Sequence, residues 1–142
     1  MPGQKLRLYD DAGALVREYP CSTSRFGYGS VPESFHTPLG KFRISQKIGH
    51  DAEPGTIFRS SIPVGLWDGS PADEDYVLTR ILWLDGTEPH NANTRDRYIY
   101  IHGTNQEHLI GTPASHGCVR LANADVIDLF ERVDEGTPVT IA

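Results

Sequence analysis

The chain lacks any apolar run long enough to act as a secretory leader or to cross a bilayer, so no membrane span is expected in it. Basic tracts are missing too. Lys and Arg number 13 against 19 Asp and Glu, a formal net charge of −6, and no cationic cluster offers a footing for nucleic acid. Cysteine is scarce: Cys21 and Cys118 are too few for a disulfide framework, and a bond between them would consume a candidate nucleophile. We read Cys21 as a small, half-buried strand residue and Cys118 as a free thiol. There is no internal repeat, low-complexity tract or linker. A chain of 142 residues can bury about 68% of the surface its unfolded form exposes, so residues 1–142 are expected to form a single domain around one core.

What is present points to a mainly β fold of sandwich or barrel type, with one helix in the C-terminal region. Leu6, Leu8, Leu15, Arg17 and Tyr19 flank the turn-forming Asp10-Asp11-Ala12-Gly13 and predict a hairpin. Lys41 to Ser45 alternates, Tyr76 to Leu84 is a β-branched and aromatic run, and Tyr98 to Ile101 leads up to His102, so all three read as strands. A helix is expected from Asn123 as N-cap, with Val126, Ile127, Leu129, Phe130 and Val133 on one face and a stop at Gly136. Pro138 to Ile141 closes as a strand. Ser22 to Gly40 reads as a long loop, able to form a lid together with the Ile57 to Asp75 stretch.

The chemistry concentrates in Ser115-His116-Gly117-Cys118-Val119-Arg120-Leu121, with His102 of Ile101-His102-Gly103 sixteen residues before Cys118. A thiol is mostly protonated near neutral pH, and an imidazole beside it populates the reactive thiolate. His102 is therefore the candidate base for Cys118. Gly103 has no side chain to orient that ring; either its carbonyl fixes the tautomer or it only permits a turn. Gly117 before the nucleophile suggests a tight turn whose N–H groups form an oxyanion hole. His116 fits a supporting role there, and Ser115 a local hydrogen bond that holds the loop. Arg120 offers a planar fork for a substrate carboxylate, with an internal ion pair as the plain alternative.

His90, His102, His108, His116 and Cys118 have zinc-ligating atoms, but their spacing matches no ligand pattern, and neither a metal nor another cofactor is expected. Tyr98, Tyr100 and Trp83 read as packing residues. Trp67, in a Gly/Asp/Pro-rich stretch, is the better candidate for an aromatic facing a ligand.

Taken with Thr37-Pro38-Leu39-Gly40-Lys41-Phe42, Thr104 after Gly103, and the closing Gly136-Thr137-Pro138-Val139, these motifs resemble the L,D-transpeptidase catalytic domain of the YkuD type. The resemblance implies peptidoglycan stem tetrapeptides as substrates. Cys118 would attack the carbonyl joining an L-centred diamino acid to a terminal D-alanine, and a second stem's amine would resolve the acyl-enzyme as a cross-link. It further implies carbapenem-type β-lactams as inhibitors and a periplasmic or cell-envelope location, although the first residues carry no leader. Thr23-Ser24 departs from the Thr-Gly common in relatives. Two alternatives stand beside this reading: an L,D-carboxypeptidase or related hydrolase using the same cysteine, and a wall-binding module without turnover.

Overall fold

A computed structural model describes residues 4–10, 12–23, 40–59, 62–70, 76–97, 99–112 and 118–141. Its strands are β1 (Lys5–Tyr9), β2 (Leu15–Pro20), β3 (Gly40–Ile48), β4 (Thr56–Arg59), β5 (Ile62–Leu66), β6 (Val77–Gly86), β7 (Tyr100–Gly103), β8 (Val119–Leu121) and β9 (Pro138–Ile141). The one α-helix among the described residues, α1, spans Asn123–Arg132.

The hairpin expected at the start is present as β1 and β2, paired antiparallel. Its turn is held by Asp10, whose Oδ1 accepts from the Ala12 and Ala14 amides at 2.9 and 2.8 Å. Such a side-chain-to-backbone bond is the reason aspartate starts turns. The sheet runs in the order β2-β1-β9-β3-β6-β4-β5 and branches at β6, which also pairs with β7; β8 joins β7 in parallel. Ser22, just after β2, bridges to Arg120 in β8 through two backbone bonds of 2.9 Å. That bridge closes a ring of strands, which gives the expected barrel-like form its physical basis.

Alternation sends Leu6, Leu8, Phe42, Ile44, Leu82, Leu84, Ile101, Val119, Leu121, Val139 and Ile141 into one core. Val126, Leu129, Phe130 and Val133 complete it from the helix side. Each such side chain adds roughly 1.5–3 kcal/mol when fully buried.

The helix boundaries differ from expectation. Ala122, not Asn123, is the N-cap, and the helix ends where Val133 turns extended rather than at Gly136. Asn123 cannot cap because its amide is bonded elsewhere, to Thr79 and Thr104. Gly136, at φ +93°, instead makes the turn into β9, its N–H reaching Ile44 O at 2.7 Å. Ile127 is only partly covered. Within the stretch from Ile57 expected to contribute to a lid, β4 and β5 form an edge hairpin. Phe26, Tyr28, Phe35 and most of the Ser22–Gly40 loop lie outside the described residues, as do 71–75 and Tyr98.

Candidate active site

The site grows out of the parallel pair β7 and β8, whose register sets Ile101 against Val119 and His102 against Arg120. Ile101, Val119 and Leu121 face the core. Strand alternation therefore turns Tyr100 and His102 of β7, together with Cys118 and Arg120, to the opposite face. Cys118 lies immediately before β8 and opposite Tyr100, whose backbone N–H donates to Sγ at 3.4 Å. His102 follows two residues on, a step of about 6–7 Å along the strand.

His102 is 2% exposed, and its Nδ1 lies 2.6 Å from the carbonyl oxygen of Gly103. A carbonyl can only accept, so in this bond Nδ1 carries the proton, and in the neutral form of the ring Nε2 is then the basic nitrogen. Gly103 is glycine for a steric reason. A Cβ there would run into the Asn123 amide and come within 2.8 Å of Leu78 O. The carbonyl that meets His102 thus belongs to a peptide packed too closely for any side chain.

Cys118 is half-buried and in no disulfide. Arg97, at the end of a 3-10 turn (Arg95–Arg97), lies within electrostatic reach of it. Burial draws the Arg97 guanidinium below its ordinary value, and attraction to the Cys118 thiolate opposes that fall. The reciprocal effect favours the thiolate. Sequence reasoning missed Arg97; the signal available was a basic residue placed directly before the apolar Tyr98 to Ile101 run.

Arg120 is fully buried, its Nη1 donating to Gln106 Oε1 at 2.6 Å. Any substrate carboxylate it holds must therefore enter a covered site. Ser115, His116 and Gly117 lie outside the described residues, and so does the His90 side chain. His108 is exposed on the 3-10 turn Glu107–Leu109.

Cys21 departs from expectation by being completely buried rather than half-buried, and burial pushes its thiol up to about 12. No disulfide joins the two cysteines. Trp83 packs edge-on against Tyr100, with centroids 5.4 Å apart, and Arg95 lies over its ring. Trp67 lines a hollow of about 200 Å³ with Ile57, Leu66, Asp68, Ser70 and Tyr76. Its indole N–H donates to Ser70 O at 2.9 Å.

Comparison with known proteins gives a consistent picture. The family profile described as the L,D-transpeptidase catalytic domain matches residues 1–141. A putative L,D-transpeptidase, YkuD of Bacillus subtilis, is 36% identical over 81 residues, covering 51% of this chain and 44% of that protein. The chain spans less than half the length of the curated relatives it matches first. Among solved structures, an Enterococcus faecium L,D-transpeptidase crystallised as a cysteine-to-serine mutant is similar in fold, with TM-score 0.55 and 20% identity over 96% of this chain and 44% of that one. L,D-transpeptidase 3 from Mycobacterium tuberculosis, solved with a faropenem-derived adduct, has TM-score 0.51 and 23% identity, covering 89% of this chain and 51% of that one.

Proposed function

This chain belongs to the YkuD family of L,D-transpeptidase catalytic domains, and from that premise we propose that it cross-links peptidoglycan stem peptides by acyl transfer through Cys118. The observation that carries the reading is the His102 Nδ1–Gly103 O bond of 2.6 Å, made on the strand face where the Tyr100 amide meets Cys118 Sγ. It makes Nε2 the ring's basic nitrogen for the thiol proton, and the Tyr100 amide supplies a donor to the sulfur.

In the first half-reaction, His102 Nε2 takes the Cys118 proton and Sγ adds to the carbonyl of the bond between the diamino acid's L-centre and D-alanine. On the sequence motif alone, the oxyanion that forms is assigned to the backbone N–H groups of Gly117 and Cys118, with His116 and Ser115 in supporting roles. The C–N bond then breaks, the imidazolium protonates the departing D-alanine amine, and a thioester remains. In the second half-reaction an acceptor stem's amine attacks the thioester, gives its surplus proton to His102, and Sγ leaves. One amide is exchanged for another without redox change.

Arg97 and Arg120 supply the positive field, Arg97 toward the sulfur and Arg120 toward a stem carboxylate. The same nucleophile would open a β-lactam, as the faropenem-derived adduct on the mycobacterial relative suggests. A peptidoglycan substrate supports a cell-envelope location on the periplasmic side. Incubation with disaccharide-tetrapeptide should yield free D-alanine and a cross-linked dimer by mass. A product consisting only of tripeptide would convert the reading to a carboxypeptidase, and unchanged tetrapeptide would end it.

A further inference from the structure

The ladder between β6 and β7 is broken between Leu78 and Ile81. Thr79, in that break, is fully buried and has φ +75°, a left-handed backbone that a β-branched residue rarely adopts. The bonds it makes show what this conformation accomplishes. Thr79 Oγ1 accepts from the Gly55 N–H at 3.0 Å, leaving its single proton for Asn123 Oδ1 at 2.6 Å. Asn123 Nδ2 donates to Thr104 O at 2.8 Å. Since a carbonyl only accepts and the hydroxyl proton needs an acceptor, both ends of the amide are assigned and it cannot flip. The Asn123 backbone N–H is taken by Glu107 Oε2 at 3.1 Å, so the residue is fixed through main chain and side chain together.

This amide also packs on the Cα of Gly103, on the side where a Cβ would collide with it. It therefore bears on two consecutive residues, Gly103 by contact and Thr104 by hydrogen bond. The Gly103 carbonyl, which His102 Nδ1 meets, lies in the peptide between them.

We propose that Asn123, oriented by the strained Thr79, is a positioning residue that holds the Gly103–Thr104 peptide and so sets the tautomer and aim of His102 toward Cys118. The inference rests on the cysteine–histidine reading above and deepens it. Neither Thr79 nor Asn123 touches the reacting atoms; both act through one main-chain oxygen. The leverage is geometric, because a small rotation of that peptide swings the carbonyl and releases the ring.

The test is the rate of Cys118 carbamidomethylation by iodoacetamide in the folded chain, measured from pH 5 to 9. Asn123→Asp keeps the acceptor for Thr79 but turns a carboxylate toward Thr104 O; it should slow modification at pH 7 at least tenfold and move the rise of the profile to higher pH. Thr79→Val keeps shape and β-branching without the hydroxyl and should slow it several-fold in the same direction, while Thr79→Ser should react as wild type does. Wild-type rates and profiles in both Asn123→Asp and Thr79→Val would overturn the proposal. His102→Ala separates the two levels. If it reacts like wild type, the cysteine–histidine reading fails; if it is slow while the other variants are unaffected, only the positioning role fails. Should Asn123→Asp not fold, Thr79→Val against Thr79→Ser decides. Nitrogen-15 spectra of wild-type His102 need no variant: a neutral ring protonated at Nδ1 is expected, and one protonated at Nε2 overturns the proposal.

Discussion

Two thiols of one chain occupy opposite surroundings. Cys21 is sealed in the core among Leu6, Tyr19 and their neighbours, and burial lifts it to about 12 with only Lys5 opposing. Cys118 is half-buried, receives a backbone N–H from Tyr100, and has Arg97 within electrostatic reach. The side chains are identical, so reactivity is decided by what surrounds the sulfur: apolar packing withholds the anion at one site, while donors and a cation invite it at the other.

The largest effect that would break this contrast is loss of selectivity in alkylation. At pH 8 a thiol with a pKa of about 12 is ionised on the order of 10⁻⁴, so iodoacetamide should modify Cys118 in the folded protein and leave Cys21 untouched. Peptide mapping of native wild-type protein and of Cys118→Ala reads this directly. Comparable labelling of the two cysteines in wild type would remove the distinction. Smaller is the expected effect of Arg97→Gln, a roughly 3–10-fold slower Cys118 alkylation at pH 7 with the profile displaced upward, the difference from wild type shrinking as salt is added. An unchanged profile would remove Arg97 from the field at the sulfur.

The contrast sharpens when stability is measured. Cys21→Ser places a hydroxyl in an apolar pocket and should cost about 1–3 kcal/mol in urea unfolding while leaving alkylation of Cys118 unchanged. The alkaline limb follows by linkage. Cys21 is protonated in the fold up to about 12, whereas its ordinary value is 9.0, so the unfolded chain loses its proton first. The contribution is complete below pH 9 and is lost as pH rises toward 12. Tyr19, raised by burial and by its bond to Asp128, adds in the same direction. Asp128 has the opposite sign. The Tyr19 hydroxyl holds its carboxyl below the ordinary 3.8, so its contribution is present above that pH and disappears as pH falls through the lowered value. Melting temperature should therefore fall at both ends, and Cys21→Ala should flatten part of the alkaline fall.

The alternation of Lys41 to Ser45 and the continuous run from Tyr76 made β3 and β6 legible from sequence, because their periodicity matches the burial they acquire. β5 was not legible. Pro63 and Gly65 interrupt it, and its apolar residues Ile62, Val64 and Leu66 stay 62%, 53% and 58% exposed on an edge, where no inward face imposes a pattern. β8 was hidden for another reason: three residues inside a motif rich in chemistry become a strand only because β7 offers them a partner. The His102 and Gly103 pairing was visible as one of two alternatives for Gly103, and the 2.6 Å bond favours the carbonyl alternative. Asn123 shows where local rules end. Its position suited a helix cap, but Thr79 and Thr104, distant in sequence, claim its amide.

The Ser22–Arg120 bridge joins residues nearly a hundred positions apart. Contacts of such wide sequence separation form late, since a long stretch of chain must be ordered before they repay its loss of freedom. The strand that follows Cys118 is therefore expected to dock near the end of folding, so the sulfur comes alongside β7 and His102 only after the core has assembled. Stopped-flow refolding should show the far-ultraviolet circular dichroism signal of the sheet settling ahead of rapid Cys118 alkylation by iodoacetamide, and alkylation as fast as the circular dichroism change would contradict this order.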